Sequence, residues 1–172
     1  MSRTRITVLA TTLAAVAIAA PVAEAHVTLN PRTATADSFA RLDVRVPNER
    51  DEAATRTVVV TFPDGFYSVS VKRVWGWKAK VSMKTLATPI RSEDGDITER
   101  VSKVTWRANG RANWIAPDMF EEFGLSMRIP NTPGQALAFP STQTYSNKEI
   151  VRWTGASGSD TPAPVIRVVP AS

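Results

Sequence analysis

Ala40-Arg41-Leu42-Asp43-Val44-Arg45-Val46 sets Leu42, Val44 and Val46 on one face and Arg41, Asp43 and Arg45 on the other. Successive side chains of an extended backbone point to opposite sides, so this period of two predicts a half-buried β-strand. Phe123, Leu125, Met127 and Ile129 repeat the alternation up to Pro130. Pro130 cannot donate to a ladder, which suits a strand end.

Outward from these two stretches the pattern recurs. Arg56 to Phe62 is β-branched and apolar, and Pro63-Asp64-Gly65 ends it as a turn. Tyr67 to Trp75 alternates through Val69, Val71 and Val74, and Trp75-Gly76-Trp77 breaks and restarts the run. Val81 to Leu86, Val101 to Trp106, Glu149 to Trp153 and Val165 to Val169 read as further strands. His26 to Pro31 is a short alternating segment, and Ala136 to Pro140 a short apolar one. Thr33 to Ser38 and Asn131 to Gln135 read as turns, and Thr88 to Asp96 and Gly155 to Pro164 as loops. Pro117 to Glu122 suits one helical turn or a bulged strand entry. No stretch sustains a helical period. The expected fold is therefore all-β: a single-domain antiparallel sandwich of the immunoglobulin or cupredoxin kind. Met127 is expected in its core, and Trp75, Trp77, Trp106 and Trp114 are expected to be structural.

Residues 1–25 read as a cleaved secretory signal. Arg3 and Arg5 precede an uncharged, alanine-rich run from Ile6 to Val22, and Ala23-Glu24-Ala25 offers small residues for cleavage. Residues 26–172 then form the domain, with a length that suits one hydrophobic core. Loss of Arg3, Arg5 and Glu24 takes the formal charge from +5 to +4. The basic residues are interspersed with acidic ones, which argues against nucleic acid as a partner. The chain has no cysteine, which excludes a disulfide staple, a thiolate ligand and a lipid anchor on cysteine. No second apolar run of spanning length follows, so the expected product is a soluble protein, periplasmic or extracellular.

His26 is the chain's single histidine, and the expected cleavage makes it the first residue. A terminal histidine carries an α-amine and an imidazole, with pKa values of about 7.7–8.0 and about 6.5. Both shed a proton near neutral pH at small cost, and together they can chelate one ion. Nitrogen donors of this kind suit Cu(II), which heads the affinity order for such sites, with carboxylate oxygen completing the coordination. Met83, Met119 and Met127 do not cluster, so a methionine-rich Cu(I) site is not indicated. No Walker A, G-x-G-x-x-G, G-x-S-x-G or H-E-x-x-H pattern occurs. Glu121-Glu122 is an adjacent acid pair that a glycosidase reading could use, and a solvated turn is its expected place.

His26-Val27-Thr28-Leu29-Asn30-Pro31, Val46-Pro47-Asn48-Glu49 and Phe62-Pro63-Asp64-Gly65 resemble the YcnI-like family of exported copper-binding domains. Gly76-Trp77-Lys78, Val104-Thr105-Trp106, Phe120 to Gly124, Pro140 to Tyr145 and Val151 to Gly155 follow that family's pattern in order. The resemblance implies a Cu(II) site on a β-sandwich. His26 would bind through amine and imidazole as a mono-histidine brace, Glu49 would supply oxygen, and Trp153 would lie beside the metal. Asp51 and Glu52 are the alternative acids in the same loop. The implied role is copper uptake or homeostasis at the cell envelope, as a metallochaperone, with a membrane copper importer or another copper carrier as partner. Many members carry a membrane helix after the domain, and none is expected here before Ser172.

Three functions are weighed. A non-enzymatic carrier would hold one Cu(II). A copper-dependent polysaccharide monooxygenase would need a second histidine in its brace, which this chain lacks. An envelope interaction module without metal would be indifferent to copper.

Overall fold

The structure is a computed structural model describing residues 26–93 and 95–171. The expected signal, residues 1–25, lies outside the described residues. In chain order the strands are β1 Thr28–Asn30, β2 Thr33–Thr35, β3 Phe39–Pro47, β4 Thr55–Thr61, β5 Ser70–Val71 and β6 Trp77–Ser92. β7 Gly95–Ala108, β8 Phe120–Arg128, β9 Ala136–Ala138, β10 Ser141–Tyr145, β11 Ile150–Trp153 and β12 Val165–Val169 follow. One turn of 3₁₀-helix covers Arg111–Asn113.

Two sheets face each other, one ordered β1-β3-β8-β5 and the other β11-β10-β4-β7-β6. A smaller sheet, β2-β12-β9, closes one side. Every strand pairing is antiparallel except β2 with β12. The alternation that opened the sequence sets the register. Leu42 stands opposite Leu125, Val44 opposite Phe123 and Ala40 opposite Met127. A slip of one residue would turn all of these to solvent, so burial pins the pairing. Val58 and Val60 of β4 oppose Trp106 and Val104 of β7 in the second sheet. The two inner faces meet where Trp106 and Phe123 pack with ring centroids 5.0 Å apart. Each fully buried Val, Leu or Phe contributes about 1.5–3 kcal/mol relative to exposure.

Several local expectations change. Thr33–Thr35, expected as a turn, is a strand, because it pairs in parallel with β12. Thr88 to Asp96, expected as a loop, belongs mostly to a long β6–β7 hairpin. The ladder breaks between Thr85 and Ile90, around Pro89, which has no N–H to donate. Glu121 and Glu122 lie within β8 and are half-buried, not in a solvated turn. Ser141–Tyr145 is a strand that sequence patterning did not single out. Gly76 does break the chain between strands, at φ +76°, where a side chain would be strained. Met127 and Trp106 lie in the core and Trp77 packs against Phe123, but Trp75 is 82% exposed, with Arg73 over its ring.

Candidate functional site

β1 and β11 are edge strands of the two facing sheets. β1 pairs β3 with Thr28 opposite Arg45. Continuing that register by two residues brings His26 level with Pro47, where β3 ends and the loop carrying Glu49 begins. From the other sheet, β11 presents Trp153. The imidazole of His26 and the indole of Trp153 lie with centroids 5.5 Å apart and planes tilted by 58°. Residues 26, 49 and 153 are remote in sequence and meet at one open edge of the sandwich.

Asn48 holds the loop in place. Its side-chain amide donates to the carbonyls of Ala53 (2.8 Å) and Ile115 (2.9 Å), and its Oδ1 accepts from the Arg50 N–H (2.9 Å). Its own N–H donates to the Met119 carbonyl at 2.8 Å. Both ends of this buried side-chain amide are used, and the backbone on both sides of Glu49 is fixed. Arg50 then turns to the residue just before β11, where Nε and Nη2 form a forked contact with the Glu149 carboxylate at 2.7–3.1 Å.

Glu49 itself is left differently. Its Oε1 is buried and accepts no hydrogen bond. Burial holds its carboxyl above the ordinary glutamate range, with His26 and Arg50 partly opposing that rise. An unpaired buried carboxylate oxygen costs more than about 1–3 kcal/mol, the range for a neutral polar group. A cation or a proton would remove that cost. Asp51 and Glu52, the alternative acids, are exposed.

Behind the edge lies a buried polar relay. Trp153 is 1% exposed and Gln143 is 0% exposed. Trp153 Nε1 donates to Gln143 Oε1 at 3.2 Å, and Gln143 Nε2 donates to the Pro47 carbonyl at 2.9 Å and to Thr55 Oγ1 at 2.6 Å. The indole N–H is therefore committed to the protein, and the ring is what Trp153 offers to the site. Tyr145 packs alongside, with Arg50 over its ring at 5.2 Å. Burial raises its phenol pKa, with the Arg50 charge opposing.

The structure thus brings His26, Glu49 and Trp153 into one place. Among the described residues no three His, Cys, Asp or Glu side chains gather into a cluster. Sequence reading missed Asn48 as the loop anchor, Gln143 as the link between Trp153 and Pro47, and the Arg50–Glu149 clasp. The signal for Gln143 was present: Ser141, Gln143 and Tyr145 alternate with Thr142 and Thr144, which puts an amide on the inward face.

A profile for the domain of unknown function DUF1775 matches residues 26–168. The chain belongs to the DUF1775 family. The YcnI-like resemblance read from the motifs stands. This DUF1775 chain is 26% identical over 149 residues to the copper-binding protein CutI of Bacillus subtilis (strain 168), covering 87% of this chain and 65% of that protein. The chain thus spans about two-thirds of that relative's length. An uncharacterized protein from Nocardia farcinica, whose crystal structure reveals an immunoglobulin-like fold, superposes with a TM-score of 0.65 at 29% identity. That alignment covers 84% of this DUF1775 chain and 98% of the other. The expected sandwich class is thereby established.

Proposed function

We propose that this protein is an exported Cu(II)-binding protein of copper uptake or homeostasis. Signal cleavage after Ala25 frees the α-amine of His26. Amine and imidazole form a mono-histidine brace on one copper ion, Glu49 adds a carboxylate oxygen, and the Trp153 ring lies beside the ion. Copper is cargo here, passed on to a membrane importer or another carrier. The observation that carries this reading is the orphaned Oε1 of Glu49, buried next to the single histidine. The name of the Bacillus relative supports copper as the ion, and the family match beginning at His26 supports the domain boundary.

The donor set fits the group. Two nitrogens and one half-buried carboxylate suit a tetragonal Cu(II) site. A carboxylate lifted above its usual range by burial regains its charge when a cation neutralises it. The tryptophan face favours a neighbouring cation electrostatically and keeps water off that side. The reading is of a carrier, not a catalyst: a single histidine cannot build the two-histidine brace of the copper monooxygenases. Among the described residues no helix is long and apolar enough to cross a membrane, and export rests on the sequence of residues 1–25.

The test compares authentically processed protein with a version carrying one extra residue before His26. A ligand that binds only the folded state raises its stability, by about 2.7 kcal/mol at a hundredfold excess over Kd. Cu(II) should raise the melting temperature of the authentic protein and leave the extended one nearly unchanged. Equal shifts in both would refute the terminal amine as a ligand.

A further inference from the structure

The outward faces of the two main sheets differ in charge. On the four-stranded sheet, the register lines up Asn30, Asp43 and Gly124, then Thr28, Arg45 and Glu122. Both signs are present there. On the five-stranded sheet one row runs Ile150, Thr144, Thr57, Arg107, Lys78 and the next Arg152, Thr142, Val59, Thr105, Lys80. A third holds Thr61, Lys103 and Ser82. Lys78, Lys80, Lys103, Arg107 and Arg152 share this face with no acid among these positions. Threonines and a valine lie between them.

At one end of this face is a cavity of about 320 Å³, lined by Arg56, Thr57, Arg107, Arg111 and Trp114 among others, with no acidic residue in its wall. Four other arginines, at positions 41, 50, 100 and 128, pair with carboxylates. Among the described residues Arg56, Arg107 and Arg111 pair with none. Arg56 is anchored by Nε to the Tyr145 carbonyl at 3.1 Å, which leaves its terminal nitrogens for the cavity. Arg111 lies over the Trp114 ring at 5.8 Å.

We propose that this cavity is a binding site for a phosphate ester, with Arg56, Arg107 and Arg111 on the phosphoryl oxygens and Trp114 against the ester's organic part. Guanidinium forks match phosphoryl oxygens in pairs, and three forks offer more donors than one carboxylate can accept. A cavity of this volume holds more than a bare oxyanion and falls at the small end of organic-ligand sites. The cationic face around it concentrates anions before they enter. The site lies on the outer side of the sheet whose inner side carries Gln143 and Trp153, and it stands independently of the copper reading. The ester's source is either a soluble phosphate ester or an anionic lipid headgroup.

Amide NMR titration of the full secreted chain tests the site, with inorganic phosphate and glycerol 3-phosphate as probes. Saturable shifts at Thr57, Arg107 and Gly110 are expected, tighter for the ester. Arg107→Ala and Arg111→Ala should each weaken binding about tenfold, while Arg41→Ala on the other sheet should not. Arg107→Lys should recover only part, since it keeps the charge and loses the fork. Shifts that never saturate, or an equal loss from Arg41→Ala, would overturn the proposal. Co-sedimentation with phosphatidylglycerol against phosphatidylcholine vesicles assigns the source. Capture by the anionic vesicles that glycerol 3-phosphate competes away supports a headgroup. Saturable titration without capture supports a soluble ester. Capture that survives both arginine substitutions would overturn the cavity as the site.

Discussion

Trp153 and Gln143 are joined by a buried hydrogen bond, Nε1 to Oε1 at 3.2 Å, and through it the orientation of the indole depends on an amide one strand away. Gln143 spends its other end on the Pro47 carbonyl and Thr55 Oγ1. One side chain thereby ties the edge strand that presents Trp153 to the loop that presents Glu49.

Gln143→Leu should accordingly be costly out of proportion to its size. It leaves the Trp153 N–H, the Pro47 carbonyl and the Thr55 hydroxyl without their partner in a dry interior. At about 1–3 kcal/mol for each orphaned group, with some relaxation, the loss should reach roughly 2–4 kcal/mol in denaturant unfolding. A variant as stable as the parent would mean that the relay is not a structural element. Copper affinity should fall as well, since both ring and loop lose their anchor.

Asn48→Ala separates loop anchoring from ligation. It deletes two buried donated bonds and one part-buried accepted bond, and should destabilise by roughly 2–3 kcal/mol. It removes no proposed ligand. Copper affinity should nevertheless weaken, because Glu49 loses its fixed backbone. If the spin-resonance spectrum of the copper-loaded variant keeps the parental parameters while affinity drops, the residue positions and does not coordinate. An unchanged affinity would show that the loop holds Glu49 without it.

The strand faces were legible because burial and a period of two leave a plain trace: Leu42, Val44 and Val46 sit inward as the sequence predicts. The distal β6–β7 hairpin was not, because Thr88 to Asp96 is exposed throughout its described residues and held mainly by backbone pairing, which composition does not report. His26 stood out in the sequence as the single histidine beside an expected cleavage point. Glu49 and Trp153 came from family resemblance, since no spacing rule joins positions so far apart. The outward cationic rows were invisible because their members come from separate strands and become neighbours only through register.

Two glutamates near the site should drive stability in opposite directions with pH. Glu49 has a native pKa raised by burial, so the folded state holds its proton more tightly than the unfolded chain. Its contribution is fully present below the unfolded value of about 4.3 and is lost as pH rises through the native value. Glu149 is held low, first by its hydrogen bonds from Arg50. Its contribution is present above about 4.3 and disappears as pH falls through its native value. Melting temperatures of copper-free Glu49→Gln should therefore gain on the parent as pH rises, and those of Glu149→Gln should lose on it. The same sign of change in both variants would contradict the burial assigned to Glu49.

The proximity of Trp153 to His26 also predicts an optical signature. Cu(II) quenches a nearby indole, and of the five tryptophans only Trp153 packs against the His26 ring. Trp153→Phe keeps an aromatic face but drops the N–H, leaving Gln143 Oε1 short of a donor. It should cost roughly 1–3 kcal/mol and still fold. Titration with one equivalent of Cu(II) should quench the parent protein and Trp75→Phe to similar extents, and quench Trp153→Phe far less. If Trp153→Phe retained the full quenching, the copper would lie near another tryptophan, and the edge between β1 and β11 would not be its place.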